Sequence, residues 1–206
     1  SMDYGFKDLK DPNAYNPERA KQLLAEDGWK DTDGDGILDK DGKPLTFNFV
    51  VYNSRAELPL YAEAVQADLK KVGIDMKIKT VDYNLIDKMG QEGDYDMLIS
   101  NIVTANTGDP IWFLANYWHT NDNGSNPQNG SGYSNPQVDQ LLDAAQTEFD
   151  PAKRRDYAIQ IQQLLMNDGA ALFLGYPKTN IITGSYLKGA VMYPSDYYWI
   201  TNKITK

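Results

Sequence analysis

Cysteine is absent from the 206-residue sequence and histidine occurs once, at His119. Without thiols there are no disulfides, no thiolate zinc sites and no cysteine nucleophile, a pattern compatible with a bacterial exported protein. Cationic side chains are also in deficit, 20 against 29 acidic ones, for a formal charge of -9. Nucleic acids and anionic lipids are bound through clustered Lys and Arg, so neither is expected as a partner. Apolar runs stay well short of the ~20 residues that span a bilayer, and neither a secretory leader nor an internal repeat is visible. Ser1-Met2 reads as a cloning scar, so the natural chain is expected to begin further upstream. What remains is 41% hydrophobic, too apolar for general disorder. Residues 3–206 are long enough for one domain or a large lobe with its own core.

The chain is organised around residues 93–114, GDYDMLISNIVTANTGDPIWFL. Tyr95-Asp96-Met97-Leu98-Ile99 is a short apolar run of the kind that forms a buried strand. The loop after it, residues 100–108, offers amides and hydroxyls at Ser100, Asn101, Thr104, Asn106 and Thr107 but no activated nucleophile. Asp109-Pro110 then supplies an N-cap and a first-turn proline for the apolar helix start Ile111-Trp112-Phe113-Leu114. A strand that feeds a loop and then a helix is where α/β proteins hold ligands, outside the carboxyl edge of the sheet. A binding surface is expected there.

Around this stretch the pattern is α/β. Asn16-Pro17 opens a helix with Ala20, Leu23 and Leu24 on one face and Gly28 closing it. Residues 45–52 alternate as a strand, and Leu58, Tyr61, Val65, Leu69 and Val72 recur at helical spacing up to Gly73. Ile74, Met76 and Ile78 then alternate with Asp75, Lys77 and Lys79, completing a βαβ unit. A brief helix over residues 83–89 leads to the strand at Tyr95. Residues 121–132 read as a surface loop, and Asn135-Pro136 and Asp150-Pro151 start two more helices. Residues 171–206 lean towards β, with Phe173, Tyr176, Tyr193, Tyr197, Tyr198 and Trp199. The expected architecture is a mixed, mostly parallel sheet flanked by helices.

Several residues carry two readings. Asp31, Asp33, Asp35, the Ile37 carbonyl and Asp39 occupy the leading ligand positions of a calcium loop, with Gly36 at the required turn. Gly42 stands where a bidentate glutamate belongs, so the stretch is either a weak structural calcium site or an Asp-Gly turn ahead of a strand. Asp109 either caps its helix or contacts ligand. Trp112, Tyr117 and Trp118 could stack on a ligand, but their spacing with Ile111 and Leu114 assigns at least two of them to the core. Arg154 and Arg155 are expected on a solvated face, in pairing distance of Glu148 and Asp156.

YNPERAKQLLAEDGW, DGDGILDKDGKPLTF, GDYDMLIS, GDP, GYSNPQVDQLL and DPAKRR with IQQLL, in that order, resemble the C-terminal lobe of the peptide/nickel class (family 5) of extracellular solute-binding proteins of ABC importers. The likeness runs from about Tyr15 onward. It implies a periplasmic-binding-protein-like lobe, not an enzyme, with no required cofactor. Its implied partners are a small-molecule ligand, a membrane permease and the N-terminal lobe of the same parent. The implied location is extracellular, either a bacterial cell surface through a lipid-anchored parent or the periplasm. Members have two lobes that close on ligand and are about double this length, so this chain resembles one lobe of a longer protein.

The resemblance also bears on cargo. Peptide-binding members often carry Trp-x-x-Asp just before the Asp/Glu-Pro start, the Asp receiving the peptide ammonium; here those positions read Val103-Thr104-Ala105-Asn106. An amide lacks the charge that makes such a bond strong. Expectation therefore moves towards a nickel or other metal chelate, with an oligopeptide as the other cargo. In nickel-chelate members a histidine lies shortly beyond the Asp-Pro start, near the place of His119. One histidine cannot hold a transition metal alone, so nickel would enter only as part of a bound chelate. The implied ligand set is Asn101, Thr104, Asn106, Thr107, Asp109, Trp112 and His119. The rival classes are a calcium-stabilised carbohydrate-binding or adhesion module and a glycoside hydrolase. The latter needs two carboxylates flanking one bond, and nothing in the sequence brings such a pair together.

Overall fold

The computed structural model describes residues 7–104, 109–176, 180–191 and 201–206. Helix α1 (Pro17–Glu26) is capped by Asn16, whose side chain accepts the Arg19 N–H, and Gly28 at φ 92° follows its end. Ala20 and Leu24 pack inward, but Leu23, expected on the same face, is 49% exposed. Strands β1 (Asp39–Lys40) and β2 (Lys43–Pro44) form an antiparallel hairpin around Asp41 and Gly42, at φ 54° and 72°. Two successive positive φ values are what a two-residue type I′ turn requires, and Asp-Gly is a preferred pair for it.

The expected βαβ unit is present. Strand β3 (Thr46–Tyr52), helix α2 (Glu57–Lys70) and strand β4 (Asp75–Val81) follow in order, and β4 runs parallel to β3 from Thr46↔Asp75 to Tyr52↔Val81. A 3-10 turn (Tyr83–Leu85) and helix α3 (Ile86–Glu92) lead to β5 (Met97–Leu98), parallel to β3 on its other edge. The order β4-β3-β5 puts β3 in the centre, where Phe49, Val50, Val51 and Tyr52 are all buried. β5 is shorter than its apolar run because the Asp96 carboxylate accepts the Asn48 N–H at 2.7 Å and its side-chain amide at 3.1 Å, so that donor is not left for a strand carbonyl. Among the described residues the three-stranded sheet is wholly parallel, and antiparallel pairing between strands is confined to the separate β1–β2 hairpin.

Three further helices, α4 (Pro110–Trp118), α5 (Pro136–Thr147) and α6 (Pro151–Asn167), close on a second core around Leu114, Val138, Leu142, Ala158 and Ile161. Each starts from an Asx-Pro pair whose Asx side chain accepts a first-turn N–H. The seam between the two cores is close. A Cβ on Gly130 would lie 3.2 Å from the Gly90 Cα, and the Tyr95 hydroxyl donates to the Gly130 carbonyl.

The C-terminal segment departs from its β-leaning expectation. Among the described residues beyond Ala170 there is no strand, only a bridge between Lys188 and Thr205. Phe173, Tyr176, Ile182 and Tyr186 are exposed. Aromatic and β-branched side chains favour strands only where a paired, half-buried surface receives them, and here they meet none. Tyr193, Tyr197, Tyr198 and Trp199 lie outside the described residues.

Candidate ligand site

At the carboxyl edge of the sheet, Tyr52 ends β3 and the chain leaves β5 through Ile99. The Asn101 N–H donates to the Tyr52 hydroxyl at 3.0 Å, and the Asn101 side-chain amide donates to Glu57 Oε1, in the first turn of α2, at 3.3 Å. Asn101 is therefore held by the central strand and by the helix after it. Tyr52 is itself steadied by an edge-on contact with Tyr83 at 5.1 Å, from the connection after β4. All three strand ends thus contribute to one platform. Thr104 is exposed beside it, and Asn106 and Thr107 lie outside the described residues.

Asp109 is the cap that the Asp-Pro pair predicts: its Oδ1 accepts the Ile111 N–H at 3.0 Å. Its Oδ2 also pairs with Arg154 of α6. Arg154 is thus not on a solvated face; its side chain is 23% exposed, and it donates to the Ala145 and Glu148 carbonyls as well. Arg155 pairs with Asp8 at 2.6 Å, and Glu148 lies 3.6 Å from Lys153. The surface pairing expected from spacing was misassigned because helix-local distance ignores what the next helix end offers.

Along α4 the aromatic residues divide as their spacing predicts. Trp118 is buried edge-on to Tyr133 at 5.9 Å, and Tyr117 stacks on Phe113 at 5.1 Å within the same core. Burial, then the nearby Asp87 carboxylate, pushes the Tyr117 hydroxyl pKa up. Trp112 alone of the three faces outward, at 36% exposure. It lines an open depression of about 490 Å³ together with Asp109, Asn116, His119, Asn126 and Arg154. Asp109, Trp112 and His119 are brought together in this depression; Asn101 and Thr104 do not line it.

His119 is the C-cap of α4. Its Nδ1 lies 3.6 Å from Asp139 and its Nε2 3.4 Å from Asp143, both on α5. Asp139 is already occupied by the Thr120 N–H at 2.8 Å and the Thr120 hydroxyl at 2.6 Å. Among the described residues no group of three metal-ligating side chains includes His119. The Asn-rich loop does more than cover surface. Asn126 donates to the Ala115 and His119 carbonyls at 3.2 and 2.7 Å, and buried Asn129 donates to the His119 carbonyl at 2.9 Å. These amides satisfy the last carbonyls of a helix that ends without glycine. That missing C-cap signal, followed by an Asn-rich stretch, is where the sequence could have pointed to them.

In the acidic loop, Asp31, Asp33 and Asp39 each offer an oxygen within 4.8 Å of the others. Asp35 does not join them; its carboxylate accepts the Ile37 N–H at 2.7 Å. The three that converge are also engaged, Asp31 with the Gly34 and Gly36 N–H groups, Asp33 with the Asp35 N–H and Asp39 with Thr32. Gly42, at the position of the absent glutamate, is spent on the hairpin turn. The donor set fits half a calcium shell.

A parallel sheet flanked by helices defines an α/β fold, the kind that holds ligands outside the carboxyl edge of its sheet. Residues 1–125 match the family described as bacterial extracellular solute-binding proteins, family 5 Middle, and the chain belongs to that family. It is 32% identical over 196 residues to the oligopeptide-binding protein AppA of Bacillus subtilis, covering 91% of this chain and 34% of that protein. It is 26% identical to the nickel-binding protein NikA of Staphylococcus aureus, over 96% of this chain and 38% of that one. Among solved structures, AppA in complex with a nonapeptide superposes with a TM-score of 0.69 at 31% identity, covering 80% of this chain and 32% of that one. S. aureus NikA in complex with Ni(L-His)2 gives 0.66 at 27%, covering 82% and 33%. The mannohexaose-bound periplasmic oligopeptide-binding protein of Thermotoga maritima gives 0.70 at 27%, covering 82% and 32%. The chain thus spans about a third of the length of the curated relatives it matches. They are nearer three times its length than the double expected from the resemblance.

Proposed function

We propose that this chain is one wall of the ligand cleft in an extracellular solute-binding protein that hands an oligopeptide or a metal chelate to the permease of an ABC importer. The observation that carries the reading is the outward face of α4, which presents Trp112 and amide groups in an open depression, in a chain whose sheet edge separately holds Asn101 on Tyr52. The Asp109 carboxylate in that depression is already matched within the chain by Arg154, and the His119 ring contacts the Thr120 carbonyl at 3.2 Å. This wall therefore supplies stacking and neutral hydrogen bonds. Recognition of a peptide terminus or of a chelator carboxylate falls to the rest of the parent. Nickel would be cargo carried by a chelator, with His119 at most completing its coordination. Asn106 and Thr107 would add polar contacts from the loop, and the acidic loop would hold at most a weakly bound structural calcium ion.

Two measurements test this. Mass spectrometry of what co-purifies with the full-length parent should show a peptide or a chelate. Calorimetric titration of that cargo should give weaker binding to this chain than to the parent, because one wall buries less of the ligand. Equal affinities would show that the remainder is dispensable and overturn the reading. The mannohexaose-bound relative supports a sugar as the second reading, since Trp112 and the surrounding amides suit a polyhydroxyl ring; titration with mannohexaose separates it.

A further inference from the structure

We propose that Arg154 is the positioning residue of the ligand wall, fixing from α6 the point at which the loop turns into α4. One guanidinium gathers three acceptors. Nη1 donates to the Ala145 carbonyl at 2.5 Å and to the Glu148 carbonyl at 3.0 Å, and Nη2 donates to the Asp109 carboxylate. Ala145 lies in the last turn of α5, Glu148 is its C-cap, and Asp109 is the N-cap of α4. Asp109 divides its two oxygens, Oδ1 on the Ile111 N–H and Oδ2 on Arg154.

The cap orders the first turn of α4 from its origin at Asp109. The ion pair ties that origin to the α5–α6 corner. The pair is partly withdrawn from water, with side-chain exposures of 23% and 38%, so solvent screens it less than an ordinary surface bridge. A rigid fork serves two carbonyls from one nitrogen and a carboxylate from the other, whereas an ammonium carries its three donors on a single nitrogen at the end of a flexible stem. Trp112 stands three residues beyond Asp109 on the same helix, so a displaced origin moves the tryptophan that lines the depression.

A purely structural role is the competing account: Arg154 would simply cap the C-terminal carbonyls of α5, and Asp109 would be incidental. The two separate in amide hydrogen exchange on this chain without ligand, comparing Arg154→Lys, Asp109→Asn and the double variant. Asp109→Asn keeps an oxygen for the Ile111 cap but turns an amide donor towards the guanidinium. Each single variant should speed exchange over residues 109–116 by about tenfold, with β3 unchanged. Asp109→Asn should leave residues 142–147 at the parent rate. The double variant should be no faster over 109–116 than the faster single, because both remove one contact. Unchanged exchange over 109–116 in Asp109→Asn, or effects that multiply in the double, would overturn the proposal. If Arg154→Lys does not fold, Asp109→Asn decides alone. The consequence for ligand rests on the solute-binding reading, but the measurement does not: absence of any bound cargo would sink that reading and leave the exchange result standing.

Discussion

Among the described residues, the two larger cores are specified in different ways. In the α4–α6 half every helix starts from an Asx-Pro pair, so each beginning is written within three or four residues of sequence. In the β3–α2–β4–β5 half, α2 starts from Ala56 with no side-chain cap, and its place is set by burial of Leu58 and Ala62 against the sheet. Parallel pairing there joins residues some thirty positions apart, such as Thr46 with Asp75. One half is coded locally and assembled by packing; the other exists only once distant segments meet. The depression beside Trp112 is lined wholly from the locally coded half.

The largest expected effect comes from removing packing in the locally coded half. Ile161→Ala should destabilise by about 2–5 kcal/mol in chemical denaturation, since Ile161 is fully buried among α4 and α5. A loss under 1 kcal/mol would mean that the caps, not the core, hold these helices. Next is the seam. Gly130→Ala places a methyl 3.2 Å from the Gly90 Cα, and forced separation of the two halves should cost about 1–3 kcal/mol. If the two cores then melt in separate calorimetric transitions, the seam is what couples them.

Removing a single cap is a smaller perturbation. Asn135→Ala deletes the acceptor for the Gln137 N–H and the donor to Asp168, and should lower stability by about 1–2 kcal/mol in the same denaturation assay. Asp168 carries a pH signature that sharpens the comparison. The Tyr133 hydroxyl and then the Asn135 amide, both donating to it, hold its carboxyl below the usual range against a smaller opposing effect of burial. With a depressed folded pKa, its contribution is present above the ordinary carboxylate range and is lost as pH falls through the folded value. Tyr133→Phe should therefore flatten the acid limb of a stability–pH profile below about pH 4. An unaltered limb would locate acid sensitivity in the α/β half. The smallest effect is at the α5–α6 turn, where Phe149 is 93% exposed. Phe149→Ser should shift stability by no more than about 0.5 kcal/mol, read as an unchanged thermal midpoint.

Much of this was legible beforehand. The βαβ unit, the strand at Met97-Leu98, the helix starts and the outward position of one aromatic residue in three all follow from periodicity and capping chemistry. Arg154 was not legible, because its partners lie on other elements and its neighbours in sequence suggested a surface pair. Asn126 and Asn129 were hidden for a related reason: an Asn-rich loop reads as solvent-facing until a helix end is brought beneath it. The calcium reading illustrates the converse. Of the donors that spacing placed in sequence, the carboxylates of Asp31, Asp33 and Asp39 converge, while that of Asp35 accepts the Ile37 N–H.

By itself the sequence determined where the capped helices start and how their caps work, since these depend on residues within a turn of one another. Tertiary structure alone decided which charges cancel and which side chains remain for a ligand. Asp109 pairs with an arginine 45 positions away, and the His119 ring is brought beside carboxylates of the following helix. Electrostatic pairing is a matter of distance in space, and nothing in the order of residues fixes that distance until the cores have closed.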